Sequence, residues 1–240
     1  PLQVAGDSAA AICGDEPLLI RQSLPLSDAI VVVDPLRKRG VEFALSQSAC
    51  DIVLCDDGLQ HYHLHRDLEI AVVDGSRGLG NGLCLPAGPL REPASRLKSV
   101  DLVVINGEVG LKGIASDATY SLKPARFRQL STGKVLAVDA WPFSKSVHAL
   151  AAIGNPQRFA DTLASLGMSP ILLGFDDHFT MTTSDLNFDD DLPVIITAKD
   201  AVKFDTVNFD NVWVLEVEAD ISSGFVDTLL NALSLNYSYI

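Results

Sequence analysis

The stretch Asp51–Asp67, DIVLCDDGLQHYHLHRD, decides how the chain is read. Ile52, Val53, Leu54 and Cys55 form a short apolar run that stops at Asp56, Asp57 and Gly58. Four apolar residues closed by Asp and Gly predict a buried strand, because a helix needs greater length. In open α/β sheets the ligand lies beyond the carboxyl ends of the strands, so chemistry is expected at Asp56 and Asp57. Strand side chains alternate faces, which gives the two carboxylates different tasks. One faces a metal or nucleotide while the other orients neighbouring groups. An apolar strand ending in Asp is also the arrangement that holds Mg²⁺ in phosphate-transfer enzymes. The same letters equally describe an acidic turn after a strand.

Outward from this run, Ala29–Asp34 (AIVVVD), Leu68–Asp74 (LEIAVVD) and Val100–Asn106 (VDLVVIN) predict further strands, with a helix over VEFALSQSA, 41–49. Val/Ile-rich strands alternating with helices predict a mostly parallel sheet covered on both faces, an α/β fold. Arg37, Lys38 and Arg39 follow the end of one strand, as phosphate contacts or as a solvated turn. Asp15, in the GDEP of 14–17, stands where a helix cap would stand. His61, His63 and His65 at i, i+2 and i+4 would share one face of a strand and resemble a zinc triad, a reading set aside in favour of His61 alone. His65-Arg66-Asp67 matches a protein-kinase catalytic loop only superficially, because the required downstream Asn is missing. The glycine-rich 74–82, DGSRGLGNG, follows a strand and reads as a phosphate cradle or a plain loop.

Farther on, YSLKPARFRQL and KVLAVDAW flank a turn at Ser131-Thr132-Gly133 and predict an antiparallel ribbon. We place a domain junction there, giving a core at 1–122, a linker at 123–145 and a smaller α/β domain at 146–240. In the last segment VHALAAIGNPQRFADTLASLG predicts a strand, a turn and an amphipathic helix with Phe159, Leu163 and Leu166 on one face.

Of 240 residues, 48% are hydrophobic, enough for a sizeable core. The net charge of −13 argues against nucleic acid and against a polybasic membrane patch. Cys13, Cys50, Cys55 and Cys84 show no CxxC spacing, so reduced thiols are expected. No apolar run reaches about 18 residues and no signal peptide is recognisable, which makes a cytosolic location the expectation. The chain begins PLQVAGD, with methionines only at Met168 and Met181, as the later part of a longer protein would.

DDGLQH (56–61), GDEP (14–17), DGxRGxGNG (74–82), PAGPLREP (86–93), the AIGNPQRF of 152–159, the DHF of 177–179 and the KDAVK of 199–203 resemble the tetraacyldisaccharide 4'-kinases. Those enzymes phosphorylate the lipid A disaccharide precursor at the inner membrane of Gram-negative bacteria. The resemblance covers nearly the whole chain. It implies a P-loop-NTPase-like core joined through the ribbon to the smaller α/β domain. It also implies ATP-dependent phosphorylation of the 4'-hydroxyl of the tetraacyldisaccharide 1-phosphate, with Mg²⁺. Asp15, oriented by His178, would take the hydroxyl proton, and Asp57 would be the third catalytic residue. Asp57, His61 and Glu92 would hold Mg²⁺, while Asp56, Gln60, Arg37 and Arg91 would contact the nucleotide. A monomer is expected, peripheral on the cytoplasmic face of the inner membrane in full length and soluble as this fragment.

Three departures stand out. The DHF string has one histidine where the family often has two, and Ala198 replaces the usual Glu before KDAVK. More consequentially, no GxxxxGK[ST] exists in the 240 residues. That loop holds the β- and γ-phosphates, so this polypeptide is expected to be inactive, with little affinity for ATP. The alternative is a P-loop-less remnant that binds a lipid or sugar phosphate or serves as an interaction module. A Mg²⁺-dependent phosphoesterase is a third reading.

Overall fold

A computed structural model describes residues 1–24, 29–107, 111, 113–177, 179–204 and 209–237, with side chains through 233. In chain order the first half contains β1 (Leu2–Val4), α1 (Ala10–Cys13), α2 (Asp15–Ser23), β2 (Val31–Val33), α3 (Arg37–Gln47), β3 (Ile70–Asp74) and β4 (Leu102–Asn106). There follow β5 (Ala118–Gln129), β6 (Val135–Ala137), β7 (Ser146–Ala151), α4 (Pro156–Ser165), β8 (Ser169–Gly174), β9 (Val194–Thr197), α5 (Ala198–Ala201), β10 (Val212–Ile221) and α6 (Phe225–Tyr237). The pairs β3–β4, β4–β5, β7–β8, β7–β9 and β9–β10 are parallel, whereas β1–β2 and β5–β6 are antiparallel. The expected α/β class with a mostly parallel sheet is what the chain adopts.

The chain forms two units interleaved in sequence, residues 1–54 with 124–217 and residues 55–123 with 218–240. Strands β5 and β10 each contribute residues to both units.

In the first unit the strand order is β6-β5-β10-β9-β7-β8. Val147, Ala149 and Ala151 from one face of β7 pack with Phe127, Phe159, Leu163, Ile195, Trp213 and Leu215. Leu150 and Ala152, of opposite parity, pack with Val194, Ile196, Val212 and Val214 on the other face. A strand buried on both faces reads as a continuous apolar run, as VHALAA does. Helix α4 starts because the Asn155 side chain accepts a hydrogen bond from the Arg158 N–H at 3.2 Å and Pro156 occupies the first turn. It buries Phe159 and Leu163, each stabilising by about 2 kcal/mol through area removed from water. The ribbon turns at Gly133, whose φ of 72° lies in the left-handed region that glycine enters at little cost. Its register pairs Phe127 with Leu136, and Glu216 holds Arg126 and Arg128 at 2.6 and 2.5 Å.

The second unit is built on β3 and β4, paired over Ile70–Asp74 and Leu102–Asn106, with Val104 of β4 beside Ala118 of β5. Val73, Val103 and Ile105 form its core, covered by Leu79, Leu97, Leu111 and Ile114.

Three local expectations are corrected. Ile52–Cys55 is not a strand: its backbone is irregular and Ile52, Val53 and Leu54 are exposed. An apolar run becomes a strand only where other backbones accept its hydrogen bonds. Among the described residues none pairs with 52–55. The AIVVVD run supplies β2, but β2 pairs antiparallel with β1 in a separate two-stranded sheet. The helix expected at 41–49 begins at Arg37, so the three basic residues lie in its first turn.

Candidate functional site

In the second unit the DDGLQH segment turns sharply instead of continuing a strand. Asp57 has φ of 50°, the left-handed region that Asp tolerates better than branched residues do. Both of its carboxylate oxygens meet Nη1 of Arg91, at 2.7 and 2.9 Å. The hydrogen bond that Arg91 donates to Asp57 raises the Arg91 guanidinium above its ordinary range. Gln60 bridges the same two segments: its Nε2 donates to Glu92 Oε1 at 2.5 Å, and its Oε1 lies 3.5 Å from Arg91 Nη1. Four expected site residues, Asp57, Gln60, Arg91 and Glu92, therefore form one connected group across more than thirty positions of sequence.

Sequence reasoning missed the supports of this group. The Tyr62 hydroxyl donates to Glu92, and that bond, followed by the one from Gln60, holds the Glu92 carboxyl below its ordinary range. Arg96 Nε lies 3.3 Å from Glu92, and Arg96 Nη2 contacts both oxygens of Glu69 at 2.7 Å. Arg66 completes the chain, binding Glu69 at 2.9 Å and the carbonyls of Gly58 and Leu59 at 3.1 and 2.9 Å. The only available signals were local spacings, Glu92 with Arg96 and Arg66 with Glu69, both common in surface ion pairs.

The glycine-rich 74–82 is folded against 83–90. Asn81 Nδ2 donates to the Ala87 carbonyl at 2.9 Å, while its Oδ1 accepts from the Leu83 N–H at 3.1 Å. A Cβ on Gly88 would lie 2.2 Å from Asn81 Oδ1 and 2.3 Å from the Leu83 carbonyl, so only glycine fits there. Asp74 Oδ1 accepts from the Ser76 N–H and hydroxyl at 2.8 and 2.6 Å, closing the turn after β3.

His61 is half-buried in a turn, its N–H donating to the Gly58 carbonyl at 3.0 Å. His63 and His65 are exposed, and the three histidines share no strand. Among the described residues no three His, Cys, Asp or Glu side chains gather as a metal cage, so Asp57, His61 and Glu92 are not assembled as one. Mg²⁺ commonly takes only one or two protein carboxylates and completes its shell with phosphate oxygens and water. An exposed Asp57 balanced by one arginine fits an ion that arrives with nucleotide phosphates. It does not fit a free ion held by protein alone.

The first unit holds the remaining expected residues. Asp15 opens α2, yet no side-chain cap bond is made at that helix start. Its Oδ2 instead lies 3.5 Å from Nζ of Lys203. His178 lies outside the described residues. Arg37 Nη1 donates to the Asp34 carbonyl at 3.1 Å, and Arg39 grips the buried Asp34 carboxylate at 2.7 and 2.8 Å. The Arg39 guanidinium holds the Asp34 carboxyl well below the usual carboxylate range. Asp56 is exposed.

Residues 1–234 match the sequence model of a family described as Tetraacyldisaccharide-1-P 4'-kinase. A Tetraacyldisaccharide 4'-kinase of Hahella chejuensis is 46% identical over 238 residues, covering 97% of this chain and 68% of the relative. One of Ectopseudomonas mendocina is 45% identical, covering 95% of this chain and 67% of the relative. The chain thus spans about two thirds of the length of these relatives. Among solved structures, LpxK from Aquifex aeolicus in complex with ATP superimposes with a TM-score of 0.73 at 23% identity, over 95% of this chain and 70% of that one. The shared fold is that of a P-loop kinase.

Proposed function

The chain belongs to the tetraacyldisaccharide-1-P 4'-kinase family, and from that premise we propose that it carries the phosphate-handling and hydroxyl-activating residues of an ATP-dependent kinase. The acceptor is the 4'-hydroxyl of the tetraacyldisaccharide 1-phosphate precursor of lipid A. The observation that carries this reading is the Asp57–Arg91 and Gln60–Glu92 bridging, which joins two family motifs into one polar group.

In this reading Arg91 neutralises Asp57 until nucleotide arrives, and then turns to the phosphate oxygens. Asp57 would hold Mg²⁺ together with the nucleotide's phosphate oxygens, with His61 and Glu92 reaching it only through water in its shell, and the bound ion would supply positive charge against the γ-phosphate. Gln60, with Glu92 as its fixed acceptor, orients the polar edge of the site, and Asp56 and Arg37 contact the nucleotide. Asp15 accepts the proton of the 4'-hydroxyl as its oxygen attacks the γ-phosphorus, the β–γ bridging bond breaks and ADP leaves. His178 orients Asp15 in that step. The substrate is a lipid, and among the described residues no helix is long and apolar enough to cross a membrane. The lipid nature of that substrate is what places the full-length protein peripherally at the inner membrane in this reading.

Because the 240 residues contain no GxxxxGK[ST], we also infer that this polypeptide alone binds ATP weakly. Calorimetric titration with Mg²⁺-ATP should show no micromolar binding; such binding would point to 74–82 as the cradle. The decisive assay is transfer of labelled γ-phosphate to the disaccharide 1-phosphate by the full gene product. Asp57→Asn should lower turnover by about a thousandfold or more with the fold intact. His63→Ala should stay within about twofold of wild type, and equal losses for the two would refute the assignment.

A further inference from the structure

The KDAVK stretch takes no part in the steps above, yet each of its charged side chains is committed. Asp200 is fully buried, at 0% exposure. Its Oδ2 accepts from Thr197 Oγ1 at 2.7 Å and the Ala152 N–H at 3.1 Å, and its Oδ1 accepts from Lys203 Nζ at 2.9 Å. A buried carboxylate needs compensation of this kind. Lys203, itself buried, donates a further hydrogen bond to the Phe179 carbonyl at 2.8 Å, and lies 3.5 Å from Asp15 Oδ2. Four residues earlier, Lys199 Nζ sits 2.8 Å from Glu16 Oε1 and 3.3 Å from Asp177 Oδ1. Burial lowers the Lys199 ammonium, and the carboxylates of Glu16 and Asp177 outweigh it, leaving it above its ordinary range.

The pattern is a two-point clamp. Asp15 and Glu16, adjacent at the start of α2, each meet one lysine, while Asp177 meets Lys199 and the Phe179 carbonyl meets Lys203. The Lys203–Asp200 pair is buried whereas Glu16 and Asp177 are half exposed, and neither kind of ion pair contributes much net stability compared with apolar packing, so stability does not account for the pattern. Position does: it holds the turn that carries Asp15.

We propose that Lys199 and Lys203 are positioning residues for Asp15. Lys203, anchored on Asp200, fixes the Asp15 carboxylate, while Lys199 ties Glu16 to Asp177. The proposal rests on the kinase reading of Asp15 and adds to it. Neither lysine is assigned a contact with substrate, so their loss should act on the chemical step and spare lipid binding.

The test is a double-mutant cycle in the full gene product. Lys203→Met should lower kcat by about tenfold to a hundredfold, the scale of a small misplacement, with KM for the lipid within about twofold. The double variant Asp15→Asn/Lys203→Met should be no slower than Asp15→Asn alone, because partners acting as one unit are non-additive. Losses that multiply, or a KM that rises with the fall in kcat, overturn the proposal. Should Lys203→Met not fold, Lys199→Met and Glu16→Gln carry the same cycle, again expected to be non-additive and again overturned by multiplying losses. Should wild type transfer no phosphate, the kinase reading itself fails. The clamp is then read from denaturant midpoints of the 240-residue polypeptide, where coupled shifts for Asp15→Asn and Lys203→Met support it and additive shifts overturn it.

Discussion

Val194–Ile196 and Ile52–Leu54 are three-residue apolar runs, each followed shortly by polar residues, and they meet opposite fates. Val194–Ile196 forms the body of β9, with β10 hydrogen-bonded along one edge and β7 along the other. All three of its side chains are at 0% exposure. Ile52–Leu54 has no ladder partner among the described residues, and Leu54 is 90% exposed. Between these extremes lies Val31–Val33 of β2, half-buried, with one antiparallel partner and a buried Asp34 at its end. Hydrophobicity is similar in all three. The number of neighbouring backbones is what differs.

That gradient can be broken from its deepest point outward. Ile195→Ala should cost about 2–5 kcal/mol of stability, read as a lowered urea midpoint, because the space it leaves is closed in on every side. A loss below about 1 kcal/mol would mean that β9 is less tightly enclosed than its neighbours imply. At β2 the sensitive group is Asp34, whose carboxyl is depressed chiefly by Arg39. A depressed carboxyl contributes stability that is present above its unfolded pKa, about 3.9, and that is lost as pH falls through the folded value. Arg39→Met should therefore lower the midpoint at pH 7, with the gap to wild type closing below about pH 4. A gap that stays constant with pH would assign the effect to packing. Leu54→Ser should shift the midpoint of this polypeptide by no more than about 0.5 kcal/mol, as an exposed position does. A large loss there would reveal a partner for the segment.

Legibility in the sequence follows the same rule. Helix α4 was readable because its cap, its proline and its apolar face lie within ten residues of one another. The ribbon was readable because Ser131-Thr132-Gly133 sits between its two strands. The run at 52–55 looked like those elements, but pairing is a property of distant segments that no local pattern reports. The candidate site divides similarly. Asp57 was picked out as a carboxylate after an apolar run, whereas Gln60, Arg91 and Glu92 were named through resemblance to a family, since nothing in their spacing brings 57 to 91. Tyr62, Arg66 and Arg96 carry no special pattern, and only coordinates reveal that they brace Glu92 and the DDG turn. Lys203 was visible as part of a motif, but its approach to Asp15 was not.

The interleaving of the two units also bears on how the protein is made. Val4, Cys13 and Leu18 are sealed by Val202, and β9 acquires its second edge only with Val212. At about 5–20 residues per second, roughly 10–40 s separate the synthesis of the N-terminal segment from that of the residues that cover it. During that interval a ribosome-bound chain presents the apolar faces of α1, α2 and β1 without their lid. The apolar faces of α1, α2 and β1 are thus covered only once the segment carrying Val202 has been made.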